Sequence, residues 1–324
     1  FQGEGALPGD QRQACEDILQ KLTSWGYNTG GYGTPEPLCR MLPSFAPMYL
    51  TMNANYHSDE QFEYCDVFDP VVQQKMREVI QYEIGKQAGN STLIGYYWTD
   101  TPQWDLERSR KKRGTDWVSM IRELPAGAPG KIRYEQFLAD GGDSDEAFLR
   151  LIARQLYQVI GEETRRLAPD VLIFGERYLV HDHPDCVIEE ALPYIDVLSI
   201  QPGGVQFESA YFDRMHAKFK KPILVCDHQN SFPTPKYPKT MWQQLESEEA
   251  VGMAYEQYLD DAFEKSYILG YQRCQYIDRY ADGAGKLKQG IVREDGTAYR
   301  TLTQAVRQAN LQALERFELH CKLK

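Results

Sequence analysis

The sequence contains no apolar run long enough to cross a bilayer, which argues against a membrane-spanning helix. It has no CxxC pair. Its seven cysteines (Cys15, Cys39, Cys65, Cys186, Cys226, Cys274 and Cys321) are odd in number and widely spaced. That argues against a disulfide scaffold or a structural zinc site and leaves one isolated disulfide open. Positive charge is in deficit: a formal net charge of −11 disfavours nucleic-acid backbones and anionic membrane surfaces as partners. A local basic pocket for a sulfated ligand remains compatible with it. No internal repeat and no low-complexity tract is evident. Phe1-Gln2-Gly3 reads as the tail of a cleavable tag or as a native start, and no leader pattern follows it.

What is present is enough apolar residue, 42% of 324, for a substantial core, and the length fits one large α/β domain over residues 1–324. The 21 tyrosines and five tryptophans exceed the needs of a plain core. Amphipathic rings of this kind suit wet, carbohydrate-type surfaces, although many will serve packing.

The most informative segment is LIGYYWTDTPQW, residues 93–104. An apolar, aromatic strand stops at Pro102, because proline cannot continue a central ladder. It leaves Asp100 and Trp104 just past its end, the carboxylate suited to chemistry and the indole to stacking on a sugar. The pattern returns in VLIFGERY, which leads to Glu176, in PILVCDH, which leads to Asp227, and in ILGYQRCQYID, which leads to Asp278. Acids at the C-terminal ends of several strands point to a β/α barrel with its site on one face.

Helices are expected over residues 11–24, 71–85 (with Asp69 as N-cap and Pro70 in the first turn), 145–167, 247–265 and 301–317. Strands are expected over residues 27–33, 46–52, 93–99, 171–174, 196–200, 222–226 and 268–276. Residues 105–142 break the rhythm and read as a long insertion on the functional face. The alternation predicts a parallel sheet of the (β/α)8, TIM-barrel type. Seven strand candidates are found where eight are needed, and the chain opens on a helix, so the first strand lies upstream, hides in residues 1–7, or is missing.

Several segments carry a family resemblance. Residues 21–31 (KLTSWGYNTGG) resemble the entry to the second strand of the β-agarases of glycoside hydrolase family 50. Residues 95–104 resemble their fourth strand, 222–232 their seventh and 270–278 (GYQRCQYID) their eighth. Gly290-Ile291-Val292 followed by Tyr299 and a closing helix is also similar. On this numbering the first strand is the absent one. The resemblance implies a retaining hydrolase without a cofactor, a carbohydrate substrate, and a secreted or periplasmic setting. It further implies an acid/base glutamate in an Asn-Glu pair after strand 4 and a nucleophilic glutamate after strand 7. Both positions depart: Asp100-Thr101 stands for Asn-Glu, and Asp227 for the second glutamate.

The candidate catalytic acids are therefore Asp100, Glu176 and Asp227. Asp227 reads as nucleophile, general base or helix cap. Asp100 reads as a general acid desolvated by Trp98 and Trp104, or as a turn aspartate. Glu176 is the rival acid, expected to face the barrel mouth, and adjacent Arg177 permits an ion pair instead. Candidate substrate-binding residues are Trp98, Trp104, Asn53, Tyr178, His228, Gln275 and Asp278. Asn55, Tyr56 and His57 read as sugar-binding or as ordinary loop. His181-Asp182-His183 with Asp185 carries a weak metal reading, because HxH without a third placed ligand is unspecific. The basic run 108–113 reads as a contact for an anionic glycan or, as such runs usually are, a solvated face.

The functional expectation is a glycosidase acting on a galactan-type, agar- or porphyran-like sugar. The alternatives are a carbohydrate-binding pseudo-enzyme of the same fold, or a metal-dependent hydrolase built on His181 and His183.

Overall fold

The computed structural model describes residues 8–50, 64–240, 243–278 and 288–322. Asn53, Asn55, Tyr56 and His57 lie outside the described residues. In chain order the elements are α1 (Pro8–Ser24), α2 (Glu36–Cys39), β1 (Ser44–Pro47), α3 (Pro70–Lys86), β2 (Leu93–Asp100), α4 (Leu106–Arg113), α5 (Trp117–Glu123), α6 (Pro129–Ala139) and α7 (Asp145–Leu167). There follow β3 (Leu172–Leu179), α8 (Asp185–Ala191), β4 (Leu198–Gln201), α9 (Ser209–Phe219), β5 (Ile223–His228), β6 (Asn230–Ser231), β7 (Gln243–Gln244), α10 (Glu248–Phe263), β8 (Ile268–Arg273) and α11 (Arg300–Lys322). The chain resolves into two compact units. One is formed by residues 1–45 with 200–324, the other by residues 46–199. β4 runs from the second unit into the first.

In the unit of residues 46–199 the strand order is β1-β2-β3-β4. β2 and β3 are parallel, and their register slips between Tyr96↔Ile173 and Tyr97↔Gly175, so β3 holds one extra residue there. Gly175 takes φ +64, the conformation such a bulge uses. Asp69 caps α3 by accepting the Val71 N–H at 2.8 Å, as its Asp-Pro signature predicts. Ser144 likewise caps α7, whose span matches the expectation end to end. The stretch after β2, read as an insertion, folds into α4, α5 and α6.

In the other unit the order is β4-β5-β8, with β5 and β8 parallel and Ile223 opposite Ile268. α10 packs on α11, tied by Tyr255 donating to Asn310 at 2.7 Å. Cys15, Leu38 and Leu42 form a small apolar cluster between α1 and α2. The expected strand at residues 27–33 reduces to a single bridge, Gly30↔Ser44, and residues 46–52 give only the four-residue β1, which begins earlier, at Ser44. The parallel β/α pattern holds, and the described residues contain six strands of the barrel type rather than eight.

At Gly95 β2 and β3 leave no room for a side chain. A Cβ there would lie 2.4 Å from the Phe174 ring and 2.5 Å from the Leu172 carbonyl. Because one of those atoms is backbone, Gly95→Ala is expected to cost about 3 kcal/mol through forced strand separation. Urea unfolding checks this; an unchanged midpoint would show that the strands separate without cost.

Candidate functional site

Within the unit of residues 46–199, β2 ends at Asp100 and the chain turns through Thr101 at φ +41, a left-handed conformation costly for a β-branched residue. The Thr101 N–H donates to the Arg177 carbonyl at 3.1 Å, and the Arg177 guanidinium pairs with the Asp100 carboxylate. The Asp100 side chain is 32% exposed while that of Arg177 is 6% exposed. The acid therefore stands at a surface, oriented by a buried cation.

Glu176 goes elsewhere. Phe174 packs on Tyr97, with ring centroids 5.6 Å apart, and strict alternation would put Glu176 on that same side. Trp98, on the opposite side of β2 from Tyr97, rests on α7: its indole stacks on Tyr157 and donates to Thr164 at 3.0 Å. After the bulge at Gly175, Glu176 also reaches α7. It accepts from the Tyr157 hydroxyl at 2.5 Å and from the Trp104 indole at 2.7 Å. The expectation that Glu176 faces the barrel mouth is corrected by this geometry: the extra residue in β3 turns it into the layer between sheet and helix.

Glu176 is 1% exposed. Burial pushes its pKa up to about 7, opposed by the two hydrogen bonds. Tyr157 also bonds the Tyr178 hydroxyl at 3.0 Å, and Trp104 stacks on Trp117 with centroids 4.9 Å apart. A cavity of about 20 Å³, lined among others by Thr99, Asp100, Gln103 and Glu176, has room for a water beside the carboxyl. Trp98, Trp104 and Tyr178 are each 0–1% exposed. They are interior rings that build this layer and present no open stacking face. Tyr157 and Trp117 were not singled out from sequence. For Tyr157 the only signal is that a buried glutamate requires donors; Trp117 enters through its stacking on Trp104.

Within the other unit, Asp227 sits at the end of β5 in a left-handed conformation, φ +54, half-buried. Its carboxylate accepts from Gln229 at 3.0 Å. Neighbouring His228 is 1% exposed and stacks on Tyr258 with centroids 4.0 Å apart. Its Nε2 lies 2.8 Å from the Gly204 carbonyl, so Nε2 carries the proton and Nδ1 accepts from the Tyr271 hydroxyl at 2.7 Å. Burial, helped by the Arg273 charge, lowers its pKa to about 3 against the opposing pull of the Gly204 bond. Both ring nitrogens are thus engaged inside the protein.

Gln275 donates to the Ile277 carbonyl at 2.8 Å. Asp278 is 2% exposed and accepts from the Gly290 N–H and the Tyr299 hydroxyl, each at 2.7 Å. The Lys288 ammonium stands 3.4 Å from it, over the rings of Phe232 and Tyr299. Asp278 therefore holds the returning Gly290 segment against the end of β8.

Three members of the basic run pair with acids: Arg110 with Asp116, Lys111 with Glu107, and Arg108 with Asp182. Among the described residues no group of three His, Cys, Asp or Glu is placed to hold a metal ion, and no helix is long and apolar enough to cross a membrane.

No family model matches the chain, and no curated protein matches it by sequence. Solved structures do. An exo-beta-agarase superposes with a TM-score of 0.80 at 16% identity, over 98% of this chain and 48% of its own. The agarase AgWH50C gives 0.80 at 17% identity, over 98% and 51%. The chain has the fold of these agarases. BpGH50 gives 0.77 at 14% identity, over 95% of this chain and 73% of its own. The resemblance read from residues 21–31, 95–104, 222–232 and 270–278 thus holds at the level of the fold. The chain spans about half the length of the first two structures.

A carboxyl whose folded pKa exceeds its unfolded one binds its proton more tightly in the folded state. The stability Glu176 confers is therefore complete below about pH 4.5 and is lost as pH rises through about 7. The loss amounts to roughly 3 kcal/mol. Glu176→Gln, which keeps an acceptor for Trp104 and Tyr157, is expected to flatten that slope. Denaturant unfolding of both proteins at pH 5 and pH 8 checks it, and parallel slopes would assign the pH dependence to another group.

Proposed function

We propose that the protein is a glycoside hydrolase whose residues 1–324 form one β/α-barrel domain of the (β/α)8 class, acting on a galactan-type, agar- or porphyran-like poly- or oligosaccharide. The observation that carries this reading is that Asp100 and Asp227 remain partly exposed at the C-terminal ends of strands, in a fold shared with agarases. That end of a parallel β/α sheet is where catalytic groups collect.

In this reading Asp227 attacks the sugar or activates water, and the candidate proton donors remain the other acids named from the sequence, Asp100 and Glu176. Glu176 supports the loop of Asp100 through Trp104. No cofactor is required, and the net charge of −11 sets the protein apart from nucleic-acid binders.

A second reading, sugar binding without hydrolysis, is favoured by one observation. Thr101 holds the position where the resemblance implies the acid/base glutamate, and Asp100 beside it is engaged by Arg177.

Incubation with agar, porphyran, carrageenan and β-galactan oligosaccharides, with products separated by size, tests both. The expected outcome is a defined shorter product that falls at least a thousandfold with Asp227→Asn at unchanged melting temperature. Full turnover by that variant would remove Asp227 from the mechanism. Binding without product would favour the second reading.

A further inference from the structure

Glu176 is 1% exposed, and both of its hydrogen bonds fall on one oxygen, Oε2. Both donors, the Tyr157 hydroxyl and the Trp104 indole, are neutral. Arg177, next in the chain, pairs with Asp100 instead. The titratable groups around the carboxyl are Tyr157 on α7, Tyr178 on β3, Cys65 ahead of α3 and Asp100 at the end of β2. Burial pushes the two phenols and the thiol up, so all three stay neutral around pH 7. α3 contributes Met76 and α5 contributes Trp117, neither of which titrates. Among the described residues no cation lines the space beside the carboxyl. An ionised carboxylate in such a place has neither solvent nor a positive partner, so it stays protonated or water must reach it.

The route for water is the turn after β2. The cavity of about 20 Å³ beside the carboxyl is walled by Asp100, Pro102 and Gln103 as well as by Glu176. β3, which carries the glutamate, lies inside the sheet between β2 and β4. α7, which carries Tyr157, is a 23-residue helix with a long buried face. The turn is the weaker wall. Thr101 holds it in a left-handed conformation, φ +41, which disfavours the closed arrangement. Its hydrogen bonds to β3 are the Thr101 N–H on the Arg177 carbonyl at 3.1 Å and the Trp104 indole on Glu176 at 2.7 Å, beside the stacking of Trp104 on Trp117.

We propose that the bond from the Trp104 indole to the Glu176 carboxyl is a pH-operated latch on the turn of residues 100–104, closed while the carboxyl is protonated and released to water once it ionises. The sign follows from linkage. The carboxyl titrates near about 7 when closed and near its ordinary value of 4.5 when hydrated in the open turn. The advantage of the closed turn is therefore complete below about pH 4.5 and lost as pH rises through about 7. Across that interval the ratio of closed to open falls by roughly a few hundredfold. Asp100 rides on this turn, so the latch couples ambient pH to the placement of a surface acid. The latch does not rest on the carbohydrate reading, and its test reads the backbone rather than turnover.

That test is native-state hydrogen exchange of the full chain, read by NMR at pH 5 and pH 8 and corrected for the pH dependence of intrinsic exchange. The reporter is the Thr101 amide, with the amides of α7 as reference. The protection of Thr101 is expected to fall tenfold or more from pH 5 to pH 8 in the wild type, while α7 stays better protected at both. Glu176→Gln keeps an acceptor that cannot ionise, and should abolish the fall. Trp104→Phe keeps a ring to stack on Trp117 and removes the indole N–H, and should lower Thr101 protection already at pH 5. Equal protection of Thr101 at the two pH values in the wild type overturns the latch. So does an undiminished fall in Glu176→Gln, wild-type protection in Trp104→Phe at pH 5, or loss of protection by Thr101 and α7 in step, which would be global unfolding.

Discussion

The carboxyl of Glu176 ties together three parts of the unit of residues 46–199. It belongs to β3, accepts from Trp104 in the turn after β2, and accepts from Tyr157 on α7. Hydrogen bonds to a charged or nearly charged group are each worth about 1.5–3 kcal/mol, and leaving such a group unpaired in the interior would cost more. The bulge at Gly175 creates this arrangement. Without the extra residue, Glu176 would lie on the side of Phe174 and Tyr97, away from its donors.

The same bulge separates two functions along consecutive residues. Glu176 turns into the helix-facing layer, while Arg177 pairs with Asp100 at the strand end. Thr101 then accepts a left-handed backbone, held by its N–H on the Arg177 carbonyl. In the other unit a comparable division appears along β5. Asp227 takes the left-handed conformation and stays half-exposed, and His228 next to it is drawn into an aromatic cluster with Tyr258 and Tyr271. In both places the two residues of an adjacent pair take different partners: Glu176 bonds to Tyr157 and Trp104 while Arg177 pairs with Asp100, and His228 bonds to Tyr271 while Asp227 accepts from Gln229.

Much of the fold was legible because its signals are local. The cap of α3 is written in Asp69-Pro70, and the helix expected over residues 145–167 is found as α7 with the same ends. β2, β3, β5 and β8 announced themselves as apolar runs ending in acids. The helices α2 and α8 were passed over because each is brief, and α9 was passed over although Tyr211, Phe212, Met215 and Phe219 give it a buried apolar face. The strand expected at residues 27–33 failed because glycine and tyrosine there make only one bridge to Ser44. The resemblance to agarases, carried by a few segments, survives as fold at 14–17% identity, where side-chain identity has largely gone.

By itself the sequence determined which residues stand near the ends of the parallel strands, because strand length and the acid that follows are contiguous in the chain. It determined the absence of an apolar span and the acidic balance in the same way. The tertiary structure alone decided where those side chains point and what they bond. Glu176 finds Trp104 at 72 residues' separation and Tyr157 at 19, and His228 is held by Gly204 and Tyr271 at 24 and 43. A single-residue bulge inverts the facing of a strand, and no composition or period reports it. The choice between a surface acid and a buried one therefore belongs to the packed structure.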